Sequence, residues 1–228
     1  MSVLKKETGI IVAFDMEDVE SAKRLAEELR GVDGNVVIKI GRPLEMQSGV
    51  GIISEIKKLS DLPVIYDGKI ADIPFISSKI ANIAFDEGAD AVIVHSFVGS
   101  DVVRELLNLG RGDVIVVVEM SHPGASEYMA GVSEELTEMV LRMGADGMVL
   151  PATRPDRVKK LASIFPEAYV ISPGIKAQGA KVGDAIASGA DYEVIGRAIY
   201  NADDSKKATE ELYGQLKRTS KRSHTASG

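Results

Sequence analysis

Eight short apolar runs, each followed by a helical pattern, constrain this chain more than any other feature. The runs are GIIVAF (9–14), NVVIKI (35–40), PVIYD (63–67), AVIV (91–94), DVIVVV (113–118), GMVL (147–150), AYVIS (168–172) and YEVIG (192–196). Several are apolar throughout rather than alternating, as parallel strands covered on both faces are. The segments between them carry the helical period. DVESAKRLAEELR (18–30) sets Val19, Ala22, Leu25, Ala26 and Leu29 on one face and its charges on the other. Strand and helix in eightfold alternation predict an α/β chain, a single-domain (β/α)8 barrel of the TIM type. The barrel is expected over residues 1–219, with a polar, frayed tail at 220–228. An open doubly wound sheet would need fewer strands or a reversal point, and the sequence has neither. GADA (88–91), GADG (144–147) and GADY (189–192) fit glycine closing a helix before the next strand.

Composition narrows the function. With 45% hydrophobic residues among 228, the chain can build a large core. Its formal net charge of −7 makes it a poor nucleic-acid binder. An anionic small molecule remains a fitting ligand if cations gather at one site. There is no cysteine, hence no disulfide, thiolate nucleophile or cysteine metal site. The three histidines are scattered, against a zinc site of the H-E-x-x-H kind. The start, MSVLKKETGIIVAF, lacks the small-residue cleavage region of a signal peptide, and no run reaches about 18 apolar residues. The expectation is a soluble, cytoplasmic protein with no membrane contact.

Barrels of this kind do their chemistry at the C-terminal ends of the strands. Asp15 stands there after the first strand, Lys39 in the second, and Asp67, Lys69 and Asp72 after the third as D-x-K-x-x-D. His95 follows the fourth, Glu119-Met120-Ser121 the fifth, Ser172-Pro173-Gly174 the seventh and Gly196-Arg197 the eighth. Asp67 and Lys69 are two apart and share a face, with Lys39 on the neighbouring strand. Alternating lysine and aspartate favours the charged form of each. Such a site holds an ammonium without a metal, suited to a reaction in which negative charge develops on carbon and is then protonated. Plainer readings exist. Asp67 and Lys69 could be a structural ion pair, Asp72 and Asp15 helix N-caps, and His95 a hydrogen-bonded structural histidine. Lys39 inside an apolar run is harder to excuse, because an unpaired buried lysine is costly. Glu119 fits a buried, paired carboxylate with no chemical role.

The far side of the mouth reads as a phosphate site. SPGIKAQGAKVGD (172–184) is a glycine-rich loop after the seventh strand, and Gly196-Arg197 follows the eighth. Phosphate binds at this position in many barrels, with Arg197 as a bidentate donor. The substrate is expected to be a small phosphorylated molecule.

IKIGRPL (38–44), YDGKIADIP (66–74), EMSHPGA (119–125), SPGIKAQG (172–179) and GRAIY (196–200) together resemble the orotidine 5′-monophosphate decarboxylases of the compact archaeal and microbial kind, in the family's order and over residues 9 to 215. The resemblance implies a homodimeric barrel that converts orotidine monophosphate (OMP) to uridine monophosphate (UMP) and carbon dioxide with no metal or organic cofactor. It implies ribose contacts for Asp15 and Lys39, and a carboxylate beside the substrate's own for Asp67. Lys69 becomes the ammonium that stabilises and protonates the C6 anion. Asp72 would cross the dimer interface to complete a Lys-Asp-Lys-Asp chain. Ser121 would bond the pyrimidine edge, Gln178, Gly196 and Arg197 would grip the phosphate, with Gln178 also reaching toward the base, and Pro173 would touch the substrate at the start of a closing loop from 173 to about 183. Three positions depart from the pattern: Ile76 replaces a polar ribose contact, Gly68 a bulkier residue and Arg42 an aromatic. The magnesium-dependent relatives, ketogulonate-phosphate decarboxylase and hexulose-phosphate synthase, share D-x-K-x-x-D but carry glutamate where this chain has Lys39. A non-catalytic phosphoribosyl-binding barrel is the other alternative, although a mere binder has no use for so costly a charge chain.

Overall fold

The apolar runs pair edge to edge in sequence order until the eighth meets the first. The computed structural model describes residues 3–164, 166–175 and 179–226. Its strands are β1 (Gly9–Phe14), β2 (Val36–Gly41), β3 (Val64–Ile70), β4 (Ala91–His95), β5 (Asp113–Val117), β6 (Gly147–Val149), β7 (Tyr169–Ser172) and β8 (Tyr192–Ile195). They form a closed, wholly parallel barrel. Around it run α1 (Val19–Glu28), α2 (Arg42–Ser48), α3 (Ile52–Ser60), α4 (Pro74–Asp86), α5 (Ser100–Asn108), α6 (Ala125–Met143), α7 (Pro155–Ile164), α8 (Asp184–Ala187), α9 (Arg197–Tyr200) and α10 (Ser205–Ala226). α10 continues past the boundary expected at 219, so the helix occupies backbone that the sequence assigned to a frayed tail. No helix among the described residues is long and apolar enough to cross a membrane.

Strand residues divide by parity into two cores. Ile11, Val37, Ile65, Ile93, Ile115, Val117, Ile171 and Val194 fill the barrel interior. Ile10, Val12, Ile38, Val64, Val92 and Val116 face outward and pack under the helices. This double burial is why the strands read as unbroken apolar runs. The start of the chain closes the barrel floor. Leu4 joins the interior, and the Val3 and Leu4 N–H groups donate to Asp113 at 3.0 and 3.1 Å.

The glycines of the three GAD stops take positive φ: Gly88 at 92°, Gly144 at 70° and Gly189 at 102°. The aspartates, to which the sequence assigned no task, pin strand pairs. Asp90 accepts the Val64 N–H at 2.8 Å, Asp146 that of Val114 at 2.9 Å, and Asp191 that of Val170 at 2.8 Å. Each thereby ties the start of one strand to the turn that opens the next.

Candidate active site

At the C-terminal mouth lies a cavity of about 550 Å³. Its floor is apolar, made by Ala13, Ile93, Val117, Val149, Ile171 and Val194, inward-facing residues near the ends of six strands. Among the described residues its walls carry four cations, Lys39, Arg42, Lys69 and Arg197, against two carboxylates, Asp15 and Asp67. In a chain of net charge −7, this is a local excess of positive charge. It favours an anionic ligand, and the apolar floor strengthens every charge interaction above it.

The register between strands builds the charge chain. Lys39 lies beside Ala13 on β1, and Gly41 lies opposite Asp67 on β3. The Lys39 ammonium donates to Asp15 Oδ1 at 3.0 Å and stands 3.0 Å from Asp67 Oδ2. Lys69 donates to the other Asp67 oxygen, Oδ1, at 2.5 Å. Asp67 is thus held between two ammonium groups, and Lys39 between two carboxylates. Burial by itself would lower the Lys39 pKa, but Asp67 and Asp15 outweigh it and hold the group above its ordinary value. Burial would likewise raise Asp67, and Lys39 and Lys69 outweigh it and hold the carboxylate below its ordinary value. Both are charged across the physiological range.

Lys69 sits in a distorted stretch. β3 shifts register against β4 between Tyr66 and Ile70, and Lys69 has φ 47°, the left-handed region that few non-glycine residues occupy. A strained residue of this kind persists where its surroundings over-determine it. Gly68 beside it is filled by its neighbour: a Cβ there would meet the Tyr66 ring at 2.4 Å. Gly41 is required more directly, since a Cβ would stand 2.2 Å from Asp15 Oδ1.

Asp15, Lys39, Asp67, Lys69, Ser121, Pro173, Gly196 and Arg197 all line the cavity. The N-cap of α1 is Asp18, whose side chain accepts the Ser21 N–H, so Asp15 is free for Lys39. Asp72 is not brought in by its own chain. It is exposed and accepts the Ile73 N–H at 2.7 Å, and the N-cap of α4 is Ile73, so the capping role considered for Asp72 is not the one observed. Gln178 lies outside the described residues. The hydrogen-bonded reading of His95 is corrected. The side chain is 7% exposed, and its Nδ1 has no hydrogen-bond partner among the described residues. Burial, aided by Lys69, pushes its pKa down, so the ring is neutral at pH 7. Glu119 is buried and paired as expected, with Arg154 and Arg157.

The sequence reading missed Gly41, Tyr200 and the apolar floor. The floor could have been found from the two-residue period of the strands, which puts these residues on the same face as Ile11, Val37 and Ile65. Arg42, noted only as a departure, lines the cavity, pairs with Glu45 at 3.2 Å and reaches the Tyr66 hydroxyl at 3.5 Å.

Comparison with known proteins agrees with this geometry. Residues 8–212 match the family described as orotidine 5′-phosphate decarboxylase / HUMPS. The orotidine 5′-phosphate decarboxylase of Methanosarcina acetivorans is 42% identical, over 93% of this chain and 96% of its own length. That of Pyrococcus furiosus is 40% identical, over 93% of this chain and 100% of its own length. Among solved structures, orotidine 5′-monophosphate decarboxylase from Methanocaldococcus jannaschii, complexed with the inhibitor BMP, superposes with a TM-score of 0.83 at 37% identity, covering 92% of this chain and 98% of that one. A match of this depth, running from the first barrel strand into the last helix, has one consequence: the chain belongs to the orotidine 5′-phosphate decarboxylase / HUMPS family.

Proposed function

We propose that the chain is an orotidine 5′-phosphate decarboxylase, converting OMP to UMP and carbon dioxide without a cofactor in pyrimidine nucleotide synthesis. The observation that carries this reading is the alternation of Lys39, Asp67 and Lys69 over an apolar floor. The names of the relatives point the same way. In the reaction the C6–carboxylate bond breaks, carbon dioxide leaves, and the electron pair stays on C6. The Lys69 ammonium stabilises that anion and transfers a proton to C6, and solvent restores the proton to the amine. Asp67 stands beside the substrate carboxylate and fixes Lys69. Asp15 and Lys39 hold the ribose hydroxyls, and Ser121 the pyrimidine edge. Arg197 holds the phosphate together with Gln178 and the backbone of Gly196. Lys39 also argues against a magnesium-dependent reaction, because its ammonium already stands between the two carboxylates a divalent cation would need and would repel it.

The working unit in this reading is a homodimer, with Asp72 reaching the neighbour's site. The exposure of Asp72 beside Ile73 (62%) and Phe75 (63%) supports an interface there, as two large apolar side chains flank a carboxylate that no group among the described residues of its own chain holds in the cavity. A cysteine-free chain fits the cytoplasm.

The test follows the loss of OMP absorbance with a chelator present. Turnover is expected, and it should vanish in Lys69→Ala while the melting temperature stays near wild type. Magnesium dependence, or binding without turnover, would refute the assignment.

A further inference from the structure

Residues 150–154, which link β6 to α7, contribute no side chain among the described residues lining the cavity, yet they tie two of its walls together. On one side Thr153 Oγ1 donates to the Ser121 carbonyl at 2.9 Å. Arg154 donates through Nη2 to the Met120 carbonyl and through Nε to Glu119 Oε1 at 2.8 Å. On the other side the Leu150 N–H donates to the Ile171 carbonyl and the Ala152 N–H to the Pro173 carbonyl, both at 3.0 Å. Met120, Ser121, Ile171 and Pro173 all line the cavity.

The brace is anchored from behind. Glu119 is wholly buried, and its second oxygen accepts from Arg157 Nε and Nη2 at 3.2 and 3.1 Å. Arg157 also donates to the Ala130 carbonyl at 3.1 Å and to the Ser133 hydroxyl, both on α6. A carboxylate buried between two arginines adds little net stability over apolar packing of the same volume. What such a forked arrangement supplies is fixed geometry, because each guanidinium can sit in only one orientation.

We propose that Thr153 and Arg154, seated on Glu119, are positioning residues for the reaction. They hold the Met120–Ser121 wall at a set distance from Pro173 and so fix the slot that takes the planar base. This rests on the proposed function, since it assigns the base to that slot. The side chains of Thr153 and Arg154 reach the Ser121 and Met120 carbonyls, at the end assigned to the base, so their loss acts on ligands that carry a base.

The experiment compares UMP with ribose 5-phosphate, which keeps the sugar and phosphate but has no base, as ligands of the wild type, Thr153→Val and Arg154→Met. Thr153→Val keeps the shape of the side chain and removes one hydrogen bond. It should weaken UMP about fivefold and leave ribose 5-phosphate unchanged. Arg154→Met should weaken UMP further and lower kcat/KM for OMP in step. Equal weakening of both ligands, or no weakening of either in Thr153→Val, would overturn the inference, and that variant decides if Arg154→Met does not fold. A wild type that neither binds UMP nor turns over OMP refutes the proposed function and this inference with it. An active wild type with an unaltered Thr153→Val refutes the inference alone.

Discussion

Lys39 is 7% exposed and still charged, and the reason lies in two oxygens 3.0 Å away. An isolated ammonium in that position would lose its proton instead. Glycine at 41 leaves the room that Asp15 needs to make this contact. In Gly41→Ala the new methyl group collides with Asp15 Oδ1 and pushes the carboxylate off Lys39. Kinetics should show kcat/KM reduced about 10–100-fold, with a melting curve that reports a loss of only about 1–3 kcal/mol. Unchanged kcat/KM would mean that the Asp15–Lys39 contact is dispensable. His95 gives a pH signature instead. Its folded pKa lies below the ordinary 6.5. As pH falls below that value, the unfolded chain takes up a proton that the folded chain refuses. Stability therefore falls through the window between 6.5 and the lower folded value. His95→Gln should lose this component. Urea unfolding at about pH 7.5 and pH 5.5 should show a smaller difference for the variant than for the wild type.

At the scale of elements, the three GAD stops do two jobs with adjacent residues. Glycine supplies the left-handed turn that ends a helix, as Gly144 does at the C-terminus of α6, where its N–H bonds the Leu141 and Val140 carbonyls. Aspartate then reaches back to the start of the preceding strand. Asp146 accepts the Val114 N–H at 2.9 Å, in a setting buried enough to push its pKa up. Asp146→Ala leaves that N–H unsatisfied. The expected cost is about 1–3 kcal/mol, or several degrees in Tm for a chain of this size. Since Asp146 lies at the far end of the barrel from the cavity, kcat/KM should not change. A Tm equal to wild type would show that water replaces the carboxylate without cost.

For the whole molecule, the question is whether one chain suffices. If Asp72 serves the neighbour's site, Lys69→Ala and Asp72→Ala homodimers are each nearly inactive. In a mixed dimer one site takes both defects, while the other combines the intact Lys69 of one chain with the intact Asp72 of the other. Random exchange at equal amounts makes half the dimers mixed, each with one good site of two. Activity should recover to about a quarter of wild type. No recovery, with subunit exchange confirmed by mass, would mean that Asp72 acts within its own chain or not at all.

The strand count, the parallel order and the cluster Asp15, Lys39, Asp67 and Lys69 were all legible in the sequence, because hydrophobic period and position relative to a strand end are local properties. Asp67 and Lys69 could be placed together from their spacing alone. The sequence did not reveal what depends on contact between distant segments. Gly41 looks like any strand-end glycine until Asp15, just past the end of β1, comes within 2.2 Å of where its Cβ would be. The partners of Glu119, Arg154 and Arg157, lie in the link after the next strand and on the helix that follows it, so its burial could be foreseen but not what it holds. His95 was read as hydrogen-bonded because buried polar atoms nearly always are. Only the packing around it reveals an Nδ1 left without a partner among the described residues. Sequence periodicity determines which residues reach the mouth of the barrel. Closing the barrel determines the distances between them, and the pKa values and the reaction depend on those distances.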